Sequence, residues 1–267
     1  MHKTIILAMS LTSLLGLLSG TPTSEVPNKN NTQTQTSQEL ADEYKAQEEA
    51  QKQKDAQFLK AEYERTHPQE VDGWQDIYQF DYEDIDVAYD YSAADAGCSW
   101  GALTIQLMRS GMDKAADGKP MSMPNLIDSL HERNVAQSLF VVDYIQFNKE
   151  NSAHFFGKDW IVETKVNPGI APANDSSDSN SLQGLTLEQR KAALAWGENQ
   201  GFKMILLYEG DFGHYLAYIN PTTLGDTGGF ATVGGTSTLT DEEDDGNNGV
   251  YSLMNMSHIT YLDIHKR

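Results

Sequence analysis

The sequence predicts an α+β fold in which a mainly helical half is followed by an antiparallel sheet. The strongest observation is a helix signal: Thr186 and Gln189 have capping-box spacing, an apolar stripe follows, and Gly201 stands in the C-cap position. Directly afterwards, residues 202–208 and 214–219 have strand patterns on either side of a glycine-containing turn, which predicts a hairpin. Helical patterns dominate before this point and strand patterns after it, so the two kinds of element are expected to be segregated.

The composition excludes several classes of protein. The 267 residues include 39 acidic and 19 basic side chains, for a formal net charge of −20. Nucleic acids and anionic membranes bind basic surfaces, so neither is expected as the main partner. A single cysteine excludes a disulfide scaffold and any zinc or iron–sulfur site built from several cysteines.

Residues 1–20 have the pattern of a secretory signal peptide. A short positively charged start is followed by an apolar run over residues 4–18 and then by Ser19 and Gly20. The run is short for a membrane-spanning helix, and no cysteine follows it that could carry a lipoprotein anchor. We therefore expect a secreted or extracytoplasmic protein with no membrane attachment once the signal is removed.

Residues 21–68 form a second compositional zone, a charged stalk. Residues 30–37 are rich in Asn, Gln and Thr and have nothing to bury, which predicts disorder. Residues 39–65 are rich in Ala, Glu, Gln and Lys and predict a solvated helix without sustained heptads. The stalk has nine acidic and six basic side chains, so most of the net charge belongs to the remaining domain, residues 69–267.

That domain is predicted to contain further elements. Alternating aromatic and polar residues predict a half-buried strand over residues 74–80, and apolar positions predict a buried helix over 98–108 that ends near Gly111. A short amphipathic helix is predicted over 125–133, whereas residues 136–147 fit a helix or a strand. The other predicted segments are a loop over 167–184 and strands over 229–233 and 251–264.

Acidic residues cluster at 81–90, at Asp175 with Asp178, and at 241–245. The last cluster is the candidate for a calcium loop, but it lacks the alternating Asp-x-Asp-x-Asp-Gly spacing and the closing Glu of such loops. The sequence therefore favours a solvated loop there.

Cys98 is the candidate nucleophile. It follows Gly97 at the start of the predicted buried helix, where the helix dipole and the free amide groups favour a thiolate. The same amides can bind an oxyanion. An exported protein meets oxidising conditions, in which an unused thiol is a liability unless it is buried. The alternative is therefore a small cysteine buried in the core.

A thiolate nucleophile needs a base, and His214 is the best placed of the seven histidines. It begins a predicted strand directly after the glycine-containing turn, at an edge of the sheet. His131, His154 and His258 fit solvated or core positions, and a surface hairpin position is the alternative for His214 itself.

The third member of a catalytic triad should orient this imidazole from a neighbouring strand end. Asp241 is the first choice, because it follows the predicted 229–233 strand after a Gly-Gly-Thr-Ser stretch. Asp244, Thr236 and Asn220 stay open as alternatives.

These residues resemble the papain-like cysteine peptidases, in which a cysteine follows a glycine at the start of a buried helix and precedes a small residue and a tryptophan, here Trp100. Gly73-Trp74-Gln75-Asp76-Ile77 and the strand that begins at His214 are similar to segments of the secreted streptococcal immunoglobulin-degrading endopeptidases. The resemblance covers residues 73–264 in element order, with close matches only at 73–77, 97–102 and 213–219. It implies a papain-like fold, with the nucleophile helix packed on an antiparallel sheet, and proteolysis of a host protein such as an immunoglobulin in virulence.

Two features depart from that family. It places its acidic orienting residue directly after the strand, where this chain has Val233-Gly234-Gly235-Thr236. Its oxyanion hole is completed by a lysine, or in papain a glutamine, before the cysteine, and residues 81–97 contain neither. Tyr91 and Ser92 are the candidate substitutes, and an incomplete hole is the alternative.

The sequence thus predicts a secreted cysteine endopeptidase that acts on a protein or peptide substrate. Cys98 is the expected nucleophile, His214 the base and Asp241 the orienting residue, with no metal or organic cofactor required. Two other classes fit the residues: a different thiol acyl-transfer enzyme, amidase or transglutaminase-like, and a non-enzymatic secreted binding module whose acidic face engages a basic partner.

Overall fold

The computed structural model describes residues 45–47, 49–54, 57, 69–88, 91–135, 141–144, 147–170, 180–209, 213–228, 235–244 and 247–267. The predicted signal peptide, the 30–37 segment, the Asp175–Asp178 pair and the 229–233 strand lie outside the described residues. Of the predicted stalk helix, residues 45–47, 49–54 and 57 are described, and all of them are helical and exposed. Every helix in the described part of the chain is too short or too polar to span a membrane.

The chain divides into two units, Met1–Gln53 and Lys54–Arg267, and the second contains both sheets. Strands β1 (Asp86–Ala88) and β2 (Tyr91–Ser92) form a small two-stranded sheet. The large sheet has the spatial order β3-β9-β4-β5-β6-β7-β8, and only β7 and β8 run parallel. Its strands are β3 (Trp160–Lys165), β4 (Lys203–Glu209), β5 (Gly213–Asn220), β6 (Thr223–Gly225), β7 (Thr236–Thr240), β8 (Val250–Ser252) and β9 (Met256–Lys266).

The described helices of this unit are α1 (Ala93–Ala96), α2 (Cys98–Arg109), α3 (Met123–His131), α4 (Val141–Tyr144), α5 (Lys149–Phe156) and α6 (Leu187–Gln200). The first five precede β3, the first strand of the large sheet along the chain. The predicted buried helix, the amphipathic helix, the capped helix and the β4–β5 hairpin are all present, within two residues of their expected bounds. The α+β prediction is confirmed.

The large sheet has a hydrophobic core on each face, as the alternation of side chains along β4 and β5 requires. Ile205, Tyr215 and Ala217 belong to the core that contains α2, whereas Leu206 and Leu216 belong to the core that contains residues of α6. Because a core covers each face of the sheet, side chains that point to either face are buried, and these strands are apolar at successive positions.

Helix α2 is buried from its first residue to its eleventh. Its buried Gln106 amide donates to the backbone carbonyls of Met204 and Tyr218, which joins the helix to β4 and β5. Because α2 is enclosed in this way, its N-terminal residue, Cys98, begins inside the domain instead of on its surface.

The prediction of a strand over residues 74–80 is wrong. Two short 3₁₀ turns, Trp74–Asp76 and Gln79–Asp81, occupy this segment. Trp74 and Ile77 are buried three residues apart, a spacing that suits turns, and Phe80 is exposed. The sequence also missed β3, β6 and β7, which are three to six residues long. In the ambiguous 136–147 segment, the described residues of α4 are helical.

Candidate active site

The turn before Cys98 brings two helices into close contact. The Gly97 N–H donates to the Ala93 carbonyl at 2.7 Å and closes α1, and Cys98 is the next residue. A Cβ atom at position 97 would collide with that carbonyl oxygen and with the Met123 side chain, so only glycine fits. The first N–H groups of a helix have no intrahelical acceptor, and here they lie at the start of α2 beside the cysteine.

The Cys98 side chain is 8% exposed and is hydrogen bonded to His214. Burial alone would raise the pKa of the thiol. The hydrogen bond and positive charge of His214 and the backbone amides of Tyr215 and Ser99 outweigh burial, so the pKa of Cys98 lies below its ordinary value. The expected pairing of Cys98 with His214 is present.

The partner of His214 on its other side is Asp226. His214 Nε2 lies 2.7 Å from Asp226 Oδ1, which leaves Nδ1 as the ring nitrogen for the sulfur. Burial alone would lower the pKa of His214, but its hydrogen bonds to Asp226 and Cys98 and the charges of both groups raise that pKa. The imidazolium is therefore held between a carboxylate and a thiolate.

Asp226 is fully buried and accepts four hydrogen bonds from residues that the structure describes. Its Oδ1 accepts from His214 and from the Gly228 N–H at 2.8 Å. Its Oδ2 accepts from the Ser237 hydroxyl at 2.7 Å and from the Tyr251 hydroxyl at 2.8 Å. Burial alone would raise the pKa of Asp226, but these donors and the charge of His214 lower it, so the carboxylate stays ionised.

The segment that follows Asp226 packs directly against α2. A Cβ atom on Gly101 would lie 2.6 Å from the Thr227 Cγ2 atom, so the absence of a side chain on the helix lets this segment approach. On the other side, the Asp226 N–H donates to the Gly235 carbonyl at 2.8 Å. The carboxylate is therefore held between α2 and the start of β7.

Gln79 links the two halves of the site and was missed by the sequence interpretation. Its Nε2 donates to the Ala94 carbonyl at 2.9 Å, and its Oε1 accepts from the Thr227 hydroxyl at 3.3 Å. Its backbone N–H also donates to the Thr227 carbonyl at 2.9 Å. The buried side-chain amide thus lies between the turn that leads to Cys98 and the segment that carries Asp226.

The predicted orienting residue, Asp241, is in the wrong place for that role. Its carboxylate is 53% exposed and forms a 2.5 Å ion pair with Lys191 on α6. Asp226 holds His214 instead, because the strand after β5 is β6, which ends at Gly225, and Asp226 follows it directly. An acidic residue directly after the strand is the arrangement that the resemblance had implied.

The alternatives to Asp241 lie elsewhere in the fold. Asn220 ends β5 and accepts from the Thr222 N–H, Thr236 begins β7 opposite Gly225, and the Asp244 carbonyl accepts from Asn255. Of the candidate oxyanion donors, Tyr91 is exposed and Ser92 caps α1 in a capping box with Asp95. Two of the other histidines contact main-chain groups: His131 contacts the Val87 carbonyl and His154 the Arg133 carbonyl. His265 contacts the Asp263 carboxylate.

Within the described ranges, no group of three or more His, Cys, Asp or Glu side chains is arranged to hold a metal ion. Comparisons with protein-family models, with curated proteins and with solved structures found no match for this chain. The function is therefore inferred from the chemistry of the site itself.

Proposed function

We propose that this protein is a cysteine endopeptidase with a papain-like arrangement of nucleophile helix and sheet. The observation that carries the proposal is the continuous chain of hydrogen bonds from Cys98 through His214 to the buried Asp226. A cysteine that merely fills a core needs no imidazole beside it. An imidazole in such a core needs no buried carboxylate that three further donors hold in place. An activated thiolate needs both.

In the first half of the reaction, the Cys98 thiolate attacks the carbonyl carbon of a peptide bond and forms a carbon–sulfur bond. The carbonyl electron pair moves onto the oxygen. His214, as the imidazolium, donates its proton to the leaving nitrogen, the carbon–nitrogen bond breaks, and the amine product departs. The acyl group remains on Cys98 as a thioester.

In the second half, neutral His214 takes a proton from a water molecule, and the water oxygen attacks the thioester carbon. The carbon–sulfur bond breaks, and the carboxylic acid product leaves. The proton on His214 and the electron pair on Cys98 restore the starting ion pair. Asp226 keeps its charge throughout and holds the imidazole in the orientation that both proton transfers need.

The oxyanion is bound by the Cys98 N–H at the start of α2 and by the Gln79 side-chain amide. One N–H of this amide donates to the Ala94 carbonyl at 2.9 Å, and we assign the oxyanion to its second N–H. Gln79 is our candidate for the side-chain donor that residues 81–97 lack, and it lies two residues before that interval. Its contacts with Ala94, in the turn before Cys98, and with Thr227, next to Asp226, support this assignment.

The proposal extends to export and to a protein substrate. The apolar start of the chain supports secretion, and the resemblance noted for residues 73–77 supports a host protein such as an immunoglobulin. An amidase or a transglutaminase-like enzyme would use the same Cys98 and His214 with a different acyl donor or acceptor, so the products distinguish these activities from proteolysis.

The test uses the mature chain, fluorescein-labelled casein and intact immunoglobulin G. We expect wild-type protein to release peptides from at least one of these substrates, with free carboxyl and amino termini at the cleavage site by mass spectrometry. We expect Cys98→Ala to release none and to keep the wild-type circular dichroism spectrum, because the first position of a helix accepts alanine.

Iodoacetamide provides an independent measurement, since Cys98 is the only cysteine in the chain. It should inactivate the wild type with one label per molecule. Retention of a tenth of the activity in Cys98→Ala would overturn the nucleophile assignment. Transfer of the acyl group to an added amine in preference to water would favour the transglutaminase-like enzyme.

A further inference from the structure

The carboxylate of Asp226 has two oxygens, and Oδ1 is the one that contacts His214. The far oxygen, Oδ2, accepts from the Ser237 and Tyr251 hydroxyls, at 2.7 and 2.8 Å. These two residues come from β7 and β8, the parallel pair of the large sheet. Asp226 is fully buried, so the protein itself must supply every hydrogen bond that its charge requires.

Tyr251 also contacts the imidazole. Its ring lies nearly parallel to that of His214, with centroids 6.1 Å apart and an interplanar angle of 28°. Tyr208 packs edge-on against the other side of Tyr251, with centroids 5.0 Å apart. The Tyr251 side chain is 1% exposed, so its hydroxyl and its ring are both held in place by the fold.

We infer that Tyr251, together with Ser237, is a positioning residue that keeps the Asp226 carboxylate aligned with His214 during the reaction. This inference rests on the proposed peptidase function. Tyr251 acts through Asp226, to which its hydroxyl donates, and its ring packs beside that of His214. Its hydroxyl stays a donor because burial and the negative charge of Asp226 raise the pKa of the phenol.

The physical argument concerns the charge of Asp226. A buried carboxylate that loses a donor is less stable in its charged form, so its pKa rises. Once protonated, Asp226 neither stabilises the charge of the imidazolium nor fixes the orientation of its ring. As the pH is lowered, a variant with the raised pKa should therefore lose activity at a higher pH than the wild type. The titratable groups that face Asp226 and Tyr251 in the described structure are His214 on β5, Cys98 on α2 and Tyr208 on β4.

The test compares Tyr251→Phe, Ser237→Ala and the double variant with the wild type. The control is Tyr218→Phe, which also removes a tyrosine hydroxyl from a carboxylate. Tyr218 lies toward the other end of β5 and donates to the exposed Glu198 at 2.8 Å. For each protein, kcat and KM on fluorescein-labelled casein are measured against pH, and the labelling rate of Cys98 by iodoacetamide is measured at neutral pH.

In Tyr251→Phe we expect the acid limb of the kcat profile to move up by about one pH unit, the size expected for the loss of one hydrogen bond to a charge. The double variant should move it further. KM should stay within about twofold of the wild-type value, because substrate contacts are unchanged. Tyr218→Phe should keep the wild-type profile.

A Tyr251→Phe protein that melts at a lower temperature but keeps the wild-type kcat profile would overturn the inference, since it would show that Tyr251 only packs there. Ser237→Ala tests the same oxygen if Tyr251→Phe does not fold, and an unchanged profile in Ser237→Ala would equally overturn it. Failure of the proposed function itself gives a different result: wild-type protein would cleave nothing, and Cys98 would label as an ordinary thiol.

Discussion

Gly228 lies against the ring of His214. A Cβ atom built on this glycine would be 2.7 Å from His214 Cε1 and 3.0 Å from Nε2, the nitrogen that contacts Asp226. The Gly228 N–H also donates to Asp226 Oδ1. The imidazole, the carboxylate and the glycine backbone therefore share a space that has no room for a methyl group.

The first prediction follows from that space. Gly228→Ala should displace the imidazole and lower kcat/KM on labelled casein by about a hundredfold, because small displacements of a catalytic group cost that much. The matched control is Gly213→Ala, directly before His214, where the nearest atom of the described residues to a Cβ atom would be Leu207 Cδ1, at 3.9 Å. Equal activities in the two variants would contradict the prediction.

The second prediction concerns the reactivity of Cys98. Its pKa is lowered, so alkylation by iodoacetamide should remain fast at mildly acidic pH, where a free thiol of pKa about 8.5 is slow. His214→Ala removes the stabilising hydrogen bond and charge, and its alkylation profile should move toward that of a free thiol.

Single alanine variants of His131, His154 and His258 are the controls for that profile. His131 and His154 contact the main-chain carbonyls of Val87 and Arg133, and His258 lies opposite Leu207 in the pairing of β9 with β4. A shift in one of these variants, with none in His214→Ala, would reassign the base. An ordinary thiol profile in the wild type would favour the binding-module alternative.

The third prediction separates Asp226 from Asp241. Asp226→Ala should lower kcat/KM by at least about a hundredfold, since His214 loses its orienting partner. It should also lower the free energy of unfolding by about 3–5 kcal/mol, because a buried charge partner is removed. Asp241→Ala removes an exposed ion pair with Lys191 and should change activity by less than about twofold. The reverse order of the two activities would restore the assignment made from the sequence.

The fourth prediction concerns Gln79. Gln79→Ala should lower kcat/KM on casein by about 10²–10³-fold, the usual cost of removing one oxyanion donor. Iodoacetamide labelling of Cys98 should change little, because alkylation forms no oxyanion. Exposed Gln75, in the neighbouring turn, provides the control variant Gln75→Ala. A parallel loss of casein cleavage and of labelling in Gln79→Ala would mean that Gln79 only supports the turn before Cys98.

The fifth prediction concerns stability and pH. The pKa of His214 is higher in the folded protein than its unfolded value of about 6.5. The imidazolium therefore stabilises the fold fully below about pH 6.5, and this contribution is lost as the pH rises through the raised pKa. The difference in unfolding free energy between wild type and His214→Ala, from urea titrations, should be larger at about pH 6 than at about pH 9.5. A difference that does not vary with pH would contradict the pairing.

Cys98 and His214 could be predicted because each has a local signal. A glycine followed by a cysteine at the start of an apolar helical pattern places the sulfur at a helix N-terminus, and a strong hairpin pattern places His214 at a strand start. Both signals depend on neighbours within a few residues. The long elements that carry them, α2 and β5, formed where the pattern predicted.

Asp226 could not be found in the same way. It follows a strand of three residues, Thr223–Gly225, which is too short to show an alternating pattern. Its role comes from contacts with Ser237 and Tyr251, which are 11 and 25 residues away along the chain. The sequence signal for it is the run Gly225-Asp226-Thr227-Gly228, which begins five residues after β5 ends at Asn220.

Gln79 was missed for a different reason. The alternation of residues 74–80 predicted a strand, in which a glutamine would be one of the solvent-facing positions. The two 3₁₀ turns direct it inward instead, against Ala94 and Thr227. Its contacts depend on a segment almost 150 residues away, which local patterns do not report.

The strands that hold Asp226 are at the margin of the large sheet. Among the described residues, β8 pairs only with β7, over three residue pairs, whereas β4 lies between two long neighbours. Marginal strands open more readily than central ones. Heating should therefore displace the carboxylate while the central strands are still intact. If the proposed function holds, activity should be lost some degrees below the temperature of unfolding and should return on cooling.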